Sequence, residues 1–381
     1  MSHLSASRHQ RRLRQLALPA LALFTAAALT ACSDPSALTG VDNPTRPTTG
    51  DSAVTPTPNP PTTPVPPARD AYTLLFDQWV PDAASYQRPW LVQTNTGIDS
   101  LHRVMDFSGA FDASVSPDGQ SMVFTCTTGH GTTLCKAALD SAVRAQLPGA
   151  IRSTALSALV ADQPAISPDG QQVAFRGWQP GGTVGLFNPA DIYVMNIDGT
   201  NVTRLTSASR GVESFESPAW SPRLADGSYR LAFSREYRNV DGYAAASLAS
   251  MRSDGSDVQR LVIDSTSSDR EPSWSPDGMR VAFVRRGGSV QGDLWVVELD
   301  ADARPVSERA LLDVEPDGVQ RSPSWSPDGK RLAFVSAHEI LGDFYDWQVY
   351  SVNATGNDVR RHTSVAHEHA NPVWVPVNRL Q

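Results

Sequence analysis

Short apolar runs of strand length alternate with turn residues along most of the chain, and one arrangement recurs at a fixed spacing. Its clearest copy is Pro323-Ser324-Trp325-Ser326-Pro327-Asp328-Gly329-Lys330-Arg331-Leu332-Ala333-Phe334. Ser-Pro-Asp-Gly is turn chemistry: Pro presets φ, Asp bonds its own backbone, and Gly accepts the left-handed conformation that closes a short hairpin. The apolar flanks, Trp325 before and Leu332, Phe334 and Val335 after, then read as two antiparallel strands. Residues 272–283 repeat the unit almost letter for letter, 218–233 carry a four-residue insertion, 164–175 and 113–124 are looser, and 371–376 are a truncated copy. The markers Ser116, Ser167, Ser221, Ser275 and Ser326 are 51, 54, 54 and 51 residues apart, and Val375 falls 49 further on. A period of about 40 to 50 residues marks a propeller or solenoid array.

Downstream of each copy a second hairpin is expected, turning at Asp198-Gly199, Asp254-Gly255 and Thr355-Gly356-Asn357. Each unit is therefore a four-stranded meander, strands a to d, which needs neighbours to cover its faces. The chain ends on a lone strand a at 373–375 and begins its folded part with strands lacking one, at 72–76, 90–93 and 101–105. These fragments complement each other. The pattern predicts an all-β, six-bladed β-propeller of four-stranded antiparallel blades over residues 71–381, closed by a blade shared between the termini, which leaves no free sheet edge.

The first 70 residues have a different character. Arg8, Arg11, Arg12 and Arg14 precede an apolar run over 16–31, the order of a secretory signal over 1–31. The tetrad Leu29-Thr30-Ala31-Cys32 resembles the lipobox of bacterial lipoproteins, which implies cleavage before Cys32 and a lipid-anchored Cys32 in the cell envelope. An ordinary signal with an incidental Cys, or an uncleaved anchor, is the alternative. Ser33 and Asp34 fit delivery to the outer membrane, with the periplasmic or surface side open. Residues 32–70 hold that Cys and a Pro/Thr-rich stretch such as Thr55-Pro56-Thr57-Pro58, which reads as a semi-extended linker. Of the 32 Lys and Arg, removing the signal takes four and no acid, leaving 28 against 40 Asp and Glu, net −12. That balance argues against nucleic acid and anionic membrane surfaces as partners. A monomer with no cofactor is expected.

Three groups of residues are candidates for chemistry. The residue before the repeat's Pro position, where each a strand was expected to begin beside the channel, is Asp112, Gln163, Ser217, Glu271, Ser322 and Asn371. All six are polar, and Arg270 and Arg321 precede two of them, so the channel mouth could hold water, a cation or a partner's side chain. The d-a and b-c connections share one face. Its long stretches 177–190, 236–246 and 337–346 bring candidate binding residues Trp178, Phe187, Tyr237, Tyr243, His338, Phe344 and Tyr345, with aromatic caps on the blade ends as the plainer role. Cys126 and Cys135 flank a b-c hairpin in a compartment that permits disulfides, so a cross-strand disulfide is expected, two buried thiols being the alternative. Trp220, Trp274, Trp325, Trp374, Phe124, Phe175, Phe233, Phe283 and Phe334 are read as core between blades.

Ser-Pro-Asp-Gly followed by Met279-Arg280-Val281-Ala282-Phe283 or Lys330-Arg331-Leu332-Ala333-Phe334 resembles the repeat of the TolB-like β-propeller family, over nearly all of 71–381. The resemblance implies the fold and a periplasmic or envelope setting, and leaves function open. TolB carries an α/β domain before its propeller, where the linker stands here. Peptidase relatives of such propellers add a hydrolase domain with G-x-S-x-G, a motif not found in these 381 residues. Oligogalacturonate lyases are similar in size and carry a His-type metal site in the channel. The features here that match are His362, His367 and His369, and His367-Glu368-His369 is not H-E-x-x-H. The expected function is thus a non-enzymatic protein- or glycan-binding module acting through the d-a/b-c face. The alternative is a channel-centred polysaccharide lyase-like enzyme using His367, His369 and Glu271.

Overall fold

A computed structural model describes residues from Tyr72 to Pro376, except position 130 and segments 80–88, 95–100, 106–108, 140–148, 152–154, 181–188, 210–211, 239–243, 264–266, 288–289, 313–318, 342–343 and 364–367. The expected signal over 1–31, Cys32 and the expected linker to residue 70 lie outside the described residues. Strands β1 (Tyr72–Trp79), β2 (Pro89–Thr94) and β3 (Leu101–Met105) come first. Next are β4 (Ala110–Val115), β5 (Ser121–Thr128), β6 (Gly131–Ala138) and β7 (Gly149–Ala150). A 3₁₀ turn at Leu156–Ala158 leads to β8 (Val160–Ile166), β9 (Gln172–Trp178), β10 (Asp191–Asn196) and β11 (Thr203–Arg204). The chain continues through β12 (Glu213–Trp220), β13 (Arg230–Arg238), β14 (Ala244–Arg252) and β15 (Gln259–Arg260). After these come β16 (Ser268–Trp274), β17 (Arg280–Gly287), β18 (Val290–Leu299) and β19 (Pro305–Ala310). Last are β20 (Val319–Trp325), β21 (Arg331–Leu341), β22 (Phe344–Asn353), β23 (Arg360–Arg361) and β24 (Glu368–Pro376).

The result is an all-β propeller of four-stranded antiparallel blades. Five sheets each use four consecutive strands, and a further sheet has the order β24-β1-β2-β3. In that composite sheet Leu74 lies opposite Trp374 and Trp79 opposite Glu368, so the last strand supplies the innermost position that the first three lack.

The turn chemistry read from the sequence is realised atom by atom. At residues 326–331, Ser326 Oγ donates to Asp328 Oδ1 (2.7 Å), Asp328 Oδ1 accepts the Lys330 N–H, and Ser326 Oγ accepts the Arg331 N–H. Ser116, Ser167 and Ser275 make the same bond to Asp118, Asp169 and Asp277. The four-residue insertion after Ser221 leaves the closure intact, since Ser221 Oγ still accepts the Arg230 N–H at 2.8 Å. Gly329 needs its freedom: φ is +69°, and an added Cβ would meet Pro276 Cγ of the preceding blade's turn at 3.1 Å.

The core lies between blades. Phe124, Phe175, Phe233, Phe283 and Phe334 are 0–2% exposed. Ala282, Val284, Leu294 and Val296 of one sheet pack with Trp325, Leu332, Phe334 and Val352 of the next. Trp220 and Trp374 each donate Nε1–H to a carbonyl on the preceding blade's inner strand, at Ala165 (3.0 Å) and Ser324 (2.9 Å). Cys126 and Cys135 form the expected disulfide, Cα atoms 5.9 Å apart. They are diagonal partners across β5 and β6, where Phe124 faces Cys135 and Cys126 faces Thr133.

Two expectations need correction. The stretch 337–346 is an extended hairpin in which Ile340 faces Tyr345 and Leu341 faces Phe344. Its branched and aromatic residues continue the ladder where a long loop was expected. Trp178 and Tyr237 likewise belong to β9 and β13. The six polar positions also do not begin their strands, each of which starts two to four residues earlier.

Gly329→Ala is expected to destabilise the protein by about 1–2 kcal/mol, the cost of a left-handed alanine together with displacement of Pro276. A urea midpoint unchanged from wild type would contradict this account of the turn.

Candidate functional site: the propeller channel

At each inner strand the pairing register slips around one residue, for example between Arg270 and Ser273 and between Arg321 and Ser324. The residue at the slip is left-handed in all six sheets: φ is 53° at Asp112, 51° at Gln163, 54° at Ser217, 56° at Glu271, 53° at Ser322 and 49° at Asn371. Pro follows five of them, as Pro164, Pro218, Pro272, Pro323 and Pro372, which bars the right-handed helical conformation at the residue before. Bulging takes the residue's N–H off the ladder, and in four of the six sheets a side chain of the preceding sheet accepts it. The Asp112 N–H donates to Asp77 Oδ2 (3.0 Å), and that of Ser217 to Gln163 Oε1 (2.8 Å). Glu271 donates to Ser234 Oγ (3.1 Å) and Ser322 to Glu271 Oε2 (2.6 Å). Asn371 ties the composite sheet to both sides, its Nδ2 donating to Asp77 Oδ2 and Asp112 Oδ1 while its Oδ1 accepts from Ser322 Oγ. Gln163, Glu271, Asn371, Asp112 and Ser322 thus use their polar side chains to tie neighbouring sheets together.

These six residues surround a cavity of about 410 Å³, with Glu216, Ser234, Arg270, Arg286 and Arg321 also in its wall. Charge is divided across it. Behind the wall residues Asp112 and Asn371, and outside the lining itself, burial lifts the Asp77 carboxyl to about 7 against the pull of their hydrogen bonds. Asp112 is raised well above the usual range by burial and then by repulsion from Asp77 and Asp162. Burial raises Asp162 to about 6, opposed by Arg176 at 3.6 Å. On the other side stand Arg270, paired with Glu236, then Arg286 and Arg321. Arg176 lies 5.0 Å above the Trp178 ring and Arg321 4.8 Å above Trp347.

The aromatic candidates divide as follows. Trp178 faces Val160 and Tyr237 faces Glu213, the first residues of β8 and β12, so both stand at the strand ends where inner strands begin. His338, Phe344 and Tyr345 are in β21 and β22, their side chains outside the description, and Phe187, Tyr243 and His367 lie wholly outside it. His369 is in β24, 2% exposed, with Nδ1 3.1 Å from the Trp347 carbonyl and its ring edge-on to Phe76. His362 Nε2 bonds Ser351 Oγ at 2.8 Å. Among the described residues no group of three His, Cys, Asp or Glu could hold a metal ion.

Sequence reading missed Asp77, Asp162, Glu216, Arg286 and Trp347. Asp162 and Glu216 occupy the same position, one before the polar residue, that drew attention to Arg270 and Arg321. Asp77, Arg176 and Ser234 share one register on the second strand, opposite Ala370, Asp162 and Glu216, a column visible once the repeats are aligned through the bulge.

No family model matches the chain. The uncharacterized protein Atu1656 of Agrobacterium fabrum (strain C58) is 33% identical over 172 residues, covering 42% of this chain and 54% of that protein. A TolB homolog of Chlorobium chlorochromatii is 32% identical over 149 residues, 39% of this chain and 28% of that one. The uncharacterized peptidase YuxL of Bacillus subtilis is 30% identical over 113 residues, 28% of this chain and 15% of the peptidase. The chain thus spans about half the length of these relatives or less. Among solved structures, TolB from Acinetobacter baumannii superposes with a TM-score of 0.57 at 17% identity, covering 80% of this chain and 66% of that one. A TolB candidate from Agrobacterium tumefaciens gives 0.52 at 20% identity, with 76% and 88% covered. The fold is that of the TolB-like β-propellers.

A carboxyl that holds its proton more tightly folded than unfolded loses stability as pH rises between the two pKa values. For Asp77 that window runs from about 4, the unfolded value, to about 7. Asp77→Asn keeps an acceptor for Asp112 and Asn371 and removes the buried charge. It is expected to stabilise the protein by roughly 1–3 kcal/mol at pH 8 and to make little difference at pH 4. Equal effects at the two pH values in urea titrations would count against a charged Asp77 at pH 8.

Proposed function

We propose that this chain is a lipid-anchored binding module of the bacterial envelope, non-enzymatic, that presents its channel mouth and the surrounding aromatics to a partner protein. In this reading the composite β24-β1-β2-β3 sheet serves as a sixth full blade closing the ring. The observation that carries it is the preformed polar cavity whose ring carboxylates and amides accept hydrogen bonds from the adjoining blade. Side chains committed to such bonds suit a rigid recess better than a proton-transfer site, where the acid or base must be free to change partners. Trp178 and Trp347, each lying under an arginine, are rigid amphipathic surfaces of the kind favoured in protein contacts. The TolB-like fold is consistent with binding, Leu29-Thr30-Ala31-Cys32 supports the lipid anchor at Cys32, and Ser33 and Asp34 fit an outer-membrane location.

The lyase-like alternative has less support. His369 is packed inside the composite blade, and Glu271 bonds the Ser322 N–H. The YuxL match covers 15% of that peptidase and lends nothing to an enzymatic reading.

Full-length chain in detergent, used as bait in an envelope extract, is expected to retain a specific partner that Trp178→Ala/Tyr237→Ala/Phe344→Ala releases while its circular dichroism stays native. Capture that ignores these substitutions, or no capture at all, rejects the binding face. Cells fed radiolabelled palmitate are expected to label the wild-type chain and to leave Cys32→Ser unlabelled, and an unlabelled wild type or an equally labelled variant would reject the lipid anchor at Cys32.

A further inference from the structure

Three guanidinium groups share one side of the channel cavity. Arg270 and Arg321 occupy the position just before the left-handed residue in adjacent blades, on β16 and β20, and Arg286 stands near the end of β17 opposite Ser268. All three line the cavity of about 410 Å³. They are near enough to penalise one another. Burial holds the Arg270 guanidinium below its ordinary value, and Arg286 and Arg321 add repulsion against the attraction of Glu216 and Glu271. Glu236 pairs with Arg270, the Arg321 guanidinium lies 4.8 Å over the Trp347 ring, and the buried Nε of Arg286 has no hydrogen-bond partner among the described residues.

The opposite wall has another character. Asp112, on β4, belongs to the blade three steps round the ring from Glu271 on β16, and it feels the Glu271 charge across the cavity. With Gln163 on β8 it offers carbonyl oxygens as acceptors, and the lining's cations, Arg270, Arg286 and Arg321, all stand on the other side. A ligand that satisfies both walls needs one planar anion for the guanidinium fork and N–H donors behind it. A polyuronate brings further carboxylates to a wall that has no lysine or arginine to receive them. A polypeptide end brings a single carboxylate followed by amide N–H groups, and the cavity lies in the usual range for small-ligand sites, about 300–1,000 Å³.

We propose that the channel binds the C-terminal carboxylate of a partner polypeptide, gripped by Arg270, Arg286 and Arg321, with the last peptide N–H groups turned to Asp112 and Gln163. This deepens the binding-module reading and rests on it.

The test is calorimetric titration of the full-length chain in detergent with four acetylated tripeptides ending in Ala, Leu, Phe or Lys. Each is compared with its C-terminal amide and with galacturonate. At least one free acid is expected to bind, at least 10-fold more tightly than its amide and than galacturonate. Arg321→Gln, at an exposed position, and Arg270→Gln should each weaken it by 10-fold or more. Amide and acid binding alike, galacturonate binding best, or no free acid binding would each overturn the proposal. If the envelope partner is still captured as strongly by Arg321→Gln, the carboxylate inference alone falls. If no partner is captured by the wild-type chain either, the broader reading falls with it.

Discussion

One strained backbone position in each sheet is what joins neighbouring sheets. A left-handed, non-glycine residue costs about 1–2 kcal/mol, and here it recurs six times, at Asp112, Gln163, Ser217, Glu271, Ser322 and Asn371. Such strain persists where the surroundings over-determine it. The bulge turns an N–H out of its own ladder, and in four of the six cases a side chain from the preceding blade accepts it. The same device bends the inner strand and binds one sheet to the next. It also places a polar side chain in the channel wall, so assembly and the chemistry of the cavity come from one set of residues.

Because those side chains are shared between blades, the electrostatics of the channel cannot be assigned residue by residue. Asn371 is the clearest case, reaching Asp77, Asp112 and Ser322 at once. It places an amide between two carboxyls, both raised by burial, and donates to each. Across the cavity stand Arg270, Arg286 and Arg321, with Glu216, Glu236 and Glu271 beside them as balancing carboxylates. A channel divided in this way has direction, which a ring of identical blades would lack.

The repeat made the fold legible because its turn chemistry is local: Ser326, Asp328 and Gly329 close the hairpin through bonds spanning five residues or fewer. The complementary fragments at 72–76 and 373–375 announced the composite sheet, and the period marked the polar ring. The ring's reason was not legible, since it depends on a bulge that shifts register between strands and on acceptors about 35 to 54 residues away in sequence. The long face was misread for a related cause. Ala337 to Leu341 and Phe344 to Trp347 differ from a loop only in continuing a ladder, and two glycine or aspartate positions between apolar runs serve either outcome. Asp77 escaped notice because it stands on the fragment lacking its own inner strand, where no repeat motif draws attention to it.

The pairing of β24 with β1 also sets an order of events in time. A ribosome delivers Tyr72 some 300 residues before the strand that will lie against it, so β1 waits with an open edge while five blades of consecutive strands follow. Those five can each be completed by local hairpins, whereas the last closure joins the two most distant parts of the sequence and carries the largest loop entropy. Until it happens, Leu74, Leu75 and Phe76, which end as 0–1% exposed core, have no inner strand over them. The interval between synthesis of the first strand and arrival of the last is the period in which this chain is most exposed to edge-to-edge association.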